Sequence, residues 1–249
     1  MALTRIQRDI CRLIADNRIR SGESYVAGDT AAALEAAWRA DRASLEAAGY
    51  RVAVERERAG LVEAAVSRGA DSAIVEWTRD SAYRFFPLLR HDELGLTLHP
   101  LDLATNKLLA LLGRSEPRDL VDTLECHAKV QPLGYLAWAA CGKDPGFSPP
   151  AILDHAARAT RYSVLELSTL AFEGPPPDAA DLSQEWHAAV QSASAIVDHL
   201  PAEHAGTAVL GGDGGLFRGD LADLARALET GELVFHAGSI KGAFPRIVG

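Results

Sequence analysis

Between Leu98 and His127 the chain reads LHPLDLATNKLLALLGRSEPRDLVDTLECH, and its charged residues recur at helical intervals. Lys107 has Leu103 four residues before it, Ala104 three before and Leu111 four after, so on a helix it lies along an apolar face. A lysine placed there either snorkels to the rim or reaches an anion in a dry cleft, and the rim is the commoner outcome. Arg118 and Asp122 stand four apart, the spacing of a solvated helical ion pair worth about 0.3–0.5 kcal/mol. Asp119 and Asp122 stand three apart and share a face, so they call for a cation, for which Arg114 in the preceding turn is a candidate. Glu76, in SAIVEW, sits on a strand of otherwise buried type. Ile74 and Glu76 alternate with Val75 and Trp77, which lets the glutamate face outward, the usual placement for a lone strand carboxylate.

The elements that must position these residues follow from periodicity and punctuation. Ile6, Ile10, Leu13 and Ile14 make one stripe of an N-terminal helix. ESYVAG predicts a short strand ending at Gly28. A helix then starts at Asp29 or Thr30 and stops at Gly49. RVAVERER alternates as a half-buried strand, and GLVEAAVSRG and DSAIVEWTRD form a hairpin about Arg68 to Asp71. Further extended chain leads to Pro100. Two helices follow, the second opened by Ser115 as cap and Pro117 in its first turn. LGYLAWAACG, PAILDHAARATR and LSQEWHAAVQSASAIVDHL are helical, with proline-rich breaks between. In the tail, GTAVLGGDGGLFRG and VFHAGSIKGAFPRIV predict hairpins on either side of the helix DLADLARALETGE. The fold class is α+β, in three parts: residues 1–100 an α/β core, 101–205 helical, and 206–249 a small hairpin-and-helix module.

Composition narrows the function classes. With 25 Lys and Arg against 34 Asp and Glu, the net charge of −9 argues against a non-specific coat on nucleic acid. Cys11, Cys126 and Cys141 are scattered without CxxC spacing, which suggests neither a disulfide framework nor a zinc site. No apolar run is long enough to span a bilayer, so no membrane partner is expected and the cytoplasm is the expected compartment. VLGGDGG fits neither GxGxxG nor GxxxxGK[ST] and reads as a hairpin turn. The eight histidines form no HExxH, and GxSxG is absent.

HPLDLATNKLLALLGRSEPRDLVDTLEC resembles the helical signature of the AbiEii/AbiGii-type nucleotidyltransferase-like proteins, which are related to abortive-infection toxins. That signature is a D-L-x-x-x-K-x-x-A-L helix, a turn and then R-D-x-x-D. Here its positions are Asp102, Leu103, Lys107, Ala110, Leu111, Arg118, Asp119 and Asp122. The similarity runs back to the strand at Tyr25 to Gly28 and forward to the helices near Trp138, over half the chain. It implies a nucleotidyltransferase-like mixed sheet followed by a helical bundle. The implied activity is metal-dependent transfer of a nucleoside monophosphate from a triphosphate to a nucleic-acid or protein acceptor.

The resemblance also implies roles. Lys107 would neutralise charge on the departing pyrophosphate. Gly28, Arg114, Arg118, Asp119 and Asp122 would complete the nucleotide site, the two aspartates fixing the neighbouring arginine and lysine. Glu76 matches the family's third carboxylate, a catalytic ligand to Mg2+, in a cleft shared with Lys107 and the end of the Tyr25 to Gly28 strand. The implied partners are a nucleoside triphosphate, an RNA acceptor and an antitoxin protein, as in a toxin–antitoxin pair. One departure is large. After Gly28 the chain passes straight to Asp29, and the family's second glycine, its Ser/Thr, the helix behind them and the Asp-x-Asp strand are missing. Two alternatives therefore stand: a nucleotidyltransferase, or a non-catalytic relative that binds nucleotide or a partner protein.

Overall fold

The computed structural model describes residues 5–20, 31–78, 81–92, 95–158, 162–168, 170, 172 and 176–245. The Tyr25 to Gly28 strand and the Asp29 or Thr30 cap lie outside the described residues. The chain divides into two compact units, one of residues 1–83 with 87–98, the other of residues 84–86 with 99–249. The α+β class expected from the sequence is the class observed.

In the first unit, α1 (Arg5–Arg20) and α2 (Ala31–Ala47) lie against one face of an antiparallel meander of β1 (Arg51–Arg58), β2 (Leu61–Arg68) and β3 (Asp71–Thr78). Gly49, at φ +82, ends α2, and the Tyr50 N–H returns to the Leu45 carbonyl. Alternation sets the faces. Val62, Ala64, Val66, Ala73 and Trp77 turn inward onto Ile6, Ile10, Leu34, Trp38 and Leu45. Trp38 and Trp77 meet edge to face at 4.5 Å between ring centroids. The Trp77 indole N–H donates to the fully buried carboxylate of Asp41, 2.9 Å away. β1 bulges between Val54 and Arg56, and most of it is exposed, as suits an edge strand. After β4 (Tyr83–Arg84), the hairpin of β5 (Leu89–His91) and β6 (Gly95–Thr97) completes the unit.

The second unit is mainly helical. It holds α3 (Pro100–Arg114), α4 (Pro117–Lys129), α5 (Leu133–Lys143), α6 (Pro149–Arg158), α7 (Val164–Ser168) and α8 (Ala179–His199). α5 is its core. Leu133 to Cys141 are all buried, as a helix apolar all round requires. The tail belongs to this unit and supplies β7 (Thr207–Leu210), α9 (Leu221–Thr230), β8 (Val234–Ala237) and β9 (Ser239–Ile240). The first predicted tail hairpin is reduced to one bridge, Leu210 to Leu216, because β7 takes its main antiparallel partner from β8 across α9. β7 packs on α5, where a Cβ on Gly142 would come within 2.2 Å of the Gly206 carbonyl oxygen; only glycine permits that approach.

Candidate functional site

Two residues, Ser115 and Glu116, join α3 to α4. Ser115 adopts the left-handed conformation at φ 51, its N–H and hydroxyl both donating to the Leu111 carbonyl at 3.1 and 3.2 Å. It therefore closes α3, and α4 starts at Glu116 without a side-chain cap. This corrects the expectation that Ser115 caps α4. A turn this short needs one positive φ to reverse the chain, and Ser115 supplies it.

The reversal lays α4 alongside α3 and fixes which charges meet. The Lys107 ammonium donates to Asp122 Oδ2 at 2.6 Å, with both side chains partly exposed. Arg114 grips Asp119 with two parallel bonds, Nε to Oδ2 at 2.7 Å and Nη2 to Oδ1 at 2.9 Å. Asp119 is fully buried although the Arg114 side chain is about half exposed. Arg118 turns to Glu116, Nε to Oε2 at 3.0 Å, and not to Asp122. The expected pair of Arg118 and Asp122 is thus replaced, because Asp122 is already held by Lys107 across the helix pair. Lys107 stands at the rim of the apolar face, with Ala104, Leu108 and Leu111 buried beside it and Leu103 exposed. Cys126, next to this pair on α4, has its thiol pushed up to about 11, by burial first and then by the Asp122 charge.

Asp102, in the first turn of α3, does other work. Its carboxylate is fully buried. It accepts the Phe85 and Phe86 backbone N–H groups at 3.0 and 3.1 Å. It also pairs with Lys143, whose ammonium lies 2.9 Å from Oδ1. That ammonium donates as well to the Asp102 carbonyl and the Asn106 amide oxygen, both at 2.9 Å, and stands over the Phe85 ring. Sequence reasoning missed Lys143. The available signal was a lysine ending a helix with no other charge, a position normally read as a solvated C-terminus.

Glu76 belongs to the first unit and the Lys107 cluster to the second. Glu76 is exposed on the side of β3 away from α1 and α2. Its cross-strand partner on β2 is Glu63, and Arg56 on β1 stands 3.9 Å from Glu63. Glu63 and Glu76 thus put two carboxylates side by side on that face. Among the described residues no group of three or more His, Cys, Asp or Glu is placed to hold a metal ion. Magnesium requires near-octahedral oxygen coordination, usually through carboxylates supplemented by water and phosphate. The described carboxylates at Glu76 do not make that site. Gly28 lies outside the described residues. Among the described residues no helix is long and apolar enough to cross a membrane.

No family model matches the chain, and neither a curated protein nor a solved structure matches it.

Proposed function

We propose that this chain is a nucleotidyltransferase-like protein of the AbiEii/AbiGii type that binds a nucleoside triphosphate through Lys107 and, as it stands, transfers little or no nucleotide. The observation that carries the proposal is the Lys107 ammonium, partly exposed at the rim of the helix pair and oriented by one short bond to Asp122. An ammonium has three N–H donors. With one on Asp122, the others can meet phosphate oxygens. Arg114, seven residues on, is roughly 10 Å further along the helix axis at 1.5 Å per residue. Because each cation in the cluster already has a carboxylate, affinity should be weak and salt-sensitive.

Between a metal-dependent nucleotidyltransferase and a non-catalytic nucleotide- or protein-binding relative, the carboxylate count favours the second for the chain as it stands. Glu63 and Glu76 do not replace the missing Asp-x-Asp strand, and two-metal phosphoryl chemistry needs several converging carboxylates. In the catalytic reading, Mg2+ and the transfer step depend on that missing segment. The proposed acceptor is then an RNA or a protein, and an antitoxin is the proposed binding partner.

Titration of a fluorescent nucleoside triphosphate, with and without magnesium, tests the binding. Saturable binding that Lys107→Met weakens and added salt suppresses supports the proposal; no binding at millimolar triphosphate removes it. The transfer arm uses labelled triphosphates, magnesium or manganese, and mixed RNA with self-labelling as readout. Robust transfer abolished by Lys107→Ala and by Glu76→Ala would overturn the inactive assignment.

A further inference from the structure

Two histidines hold the same end of the helix hairpin. The crossings of Lys107 to Asp122 and of Arg114 to Asp119 set an antiparallel register, which brings the start of α3 level with the end of α4. At the start of α3, His99 is the N-cap, and its Nδ1 accepts the Leu101 backbone N–H at 3.2 Å. In the last turn of α4, His127 Nδ1 accepts the Leu133 N–H, the first of α5, at 2.9 Å. A backbone N–H only donates, so each Nδ1 must carry a lone pair and each ring is the neutral Nε2–H tautomer. Both caps are part-buried. Adding a proton to either Nδ1 would end its bond, set N–H against N–H and place a cation at the start of α3 or of α5, where the macrodipole repels it, although at His127 the C-terminal end of α4 acts in the opposite sense.

We propose that His99 and His127 form an acid-sensitive latch at this end of the hairpin: when neutral, His99 fixes the first turn of α3 and His127 fastens the end of α4 to the start of α5, and protonation releases both. The groups facing each ring support this. His99 has Asp102 on its own helix, itself paired with Lys143 of α5. Its ring stacks on Phe86 at 3.9 Å, with His236 of β8 beyond that ring. His127 faces Glu185 of α8 and Arg218, which follows β7. Burial, the leading cause at both sites, lowers the proton affinity of each ring below the ordinary 6.5; Arg218 adds to this at His127, while Asp102 and Glu185 oppose it at their own sites. A folded-state value below the unfolded one means the unfolded chain binds the proton first. The latch therefore contributes fully above 6.5, and its contribution is lost as pH falls below that toward the folded-state values.

The test combines NMR with unfolding of the full chain. Long-range nitrogen–proton spectra should show His99 and His127 as Nε2–H tautomers titrating below 6.5. Either ring titrating at or above 6.5, or found as the Nδ1–H tautomer, overturns the latch. His99→Asn and His127→Asn keep an acceptor oxygen near the Nδ1 position but do not titrate. The double variant should lose less thermal stability than the wild type between about pH 7.5 and about pH 5.5. An equal loss in both proteins refutes the proposal. Should the double variant fail to fold, the wild-type titrations alone decide.

Discussion

Replacing Asp102 with alanine should cost the second unit more than any change to its surface charges. The substitution removes a fully buried carboxylate that satisfies the Phe85 and Phe86 N–H groups and the ammonium of Lys143, itself only 7 % exposed. Breaking a buried ion pair from one side costs about 3–5 kcal/mol, because the remaining charge stays desolvated without its partner. The two orphaned N–H groups act in the same direction at about 1–3 kcal/mol each if they stay dry. These costs overlap, since water entering the gap would serve all three donors, so about 3–5 kcal/mol is the expected total. Asp102→Asn keeps one acceptor oxygen and should fall between wild type and alanine. Lys143→Met should cost less than Asp102→Ala, because the Phe85 and Phe86 N–H groups still anchor the carboxylate. Urea unfolding followed by far-UV circular dichroism, which weights the helical unit, reads the series. A cost below about 1 kcal/mol for Asp102→Ala would place the pair in the range of exposed ion pairs and refute the buried-clamp argument.

Two further outcomes follow from the same reasoning. Trp77→Phe keeps the ring against Trp38 but removes the indole donor to buried Asp41, so it should destabilise the first unit by about 1–3 kcal/mol in chemical unfolding. Cys126, with its thiol near 11, should label with a maleimide far more slowly at neutral pH than an ordinary thiol, the rate rising until about pH 11. Since the unfolded thiol ionises first, near 9, Cys126 also contributes stability that is lost as pH climbs from about 9 to about 11.

What could be read in the sequence was what local pattern controls. The stripe of Ile6 and Ile10, the stop at Gly49, the hairpin about Arg68 to Asp71 and the helices from Pro100 onward all appear where periodicity and turn residues put them. Pairings chosen by tertiary contact were less legible. Asp122 had a partner four residues away in Arg118, but the two-residue turn brings Lys107 within 2.6 Å and the longer-range bond forms. The tail hairpins look local in sequence, yet β7, which packs on the buried helix α5, takes β8 as its partner across a helix. Asp102 and Lys143 lie 41 positions apart, and nothing in local spacing connects them. α7, a five-residue helix, is too short to leave a periodic signal.

The two cations of α3 differ in what they can give to a ligand. Asp119 is fully buried and Arg114 covers it from solvent, so drawing Arg114 away would leave an uncompensated carboxylate in the core. Arg114 is therefore bound to a structural duty, whatever the resemblance implies for it at a nucleotide site. Lys107 and Asp122 are both partly exposed, and opening such a pair costs about 1 kcal/mol or less, since water replaces the lost contact. Lys107 alone of the two can reach a phosphate at small expense, whether one N–H stays on Asp122 or the pair opens. The physical chemistry thus divides residues that the resemblance groups in one nucleotide site. Arg114 and Asp119 hold the hairpin together, while Lys107, steadied by Asp122, is the cation whose loss should change affinity more than stability.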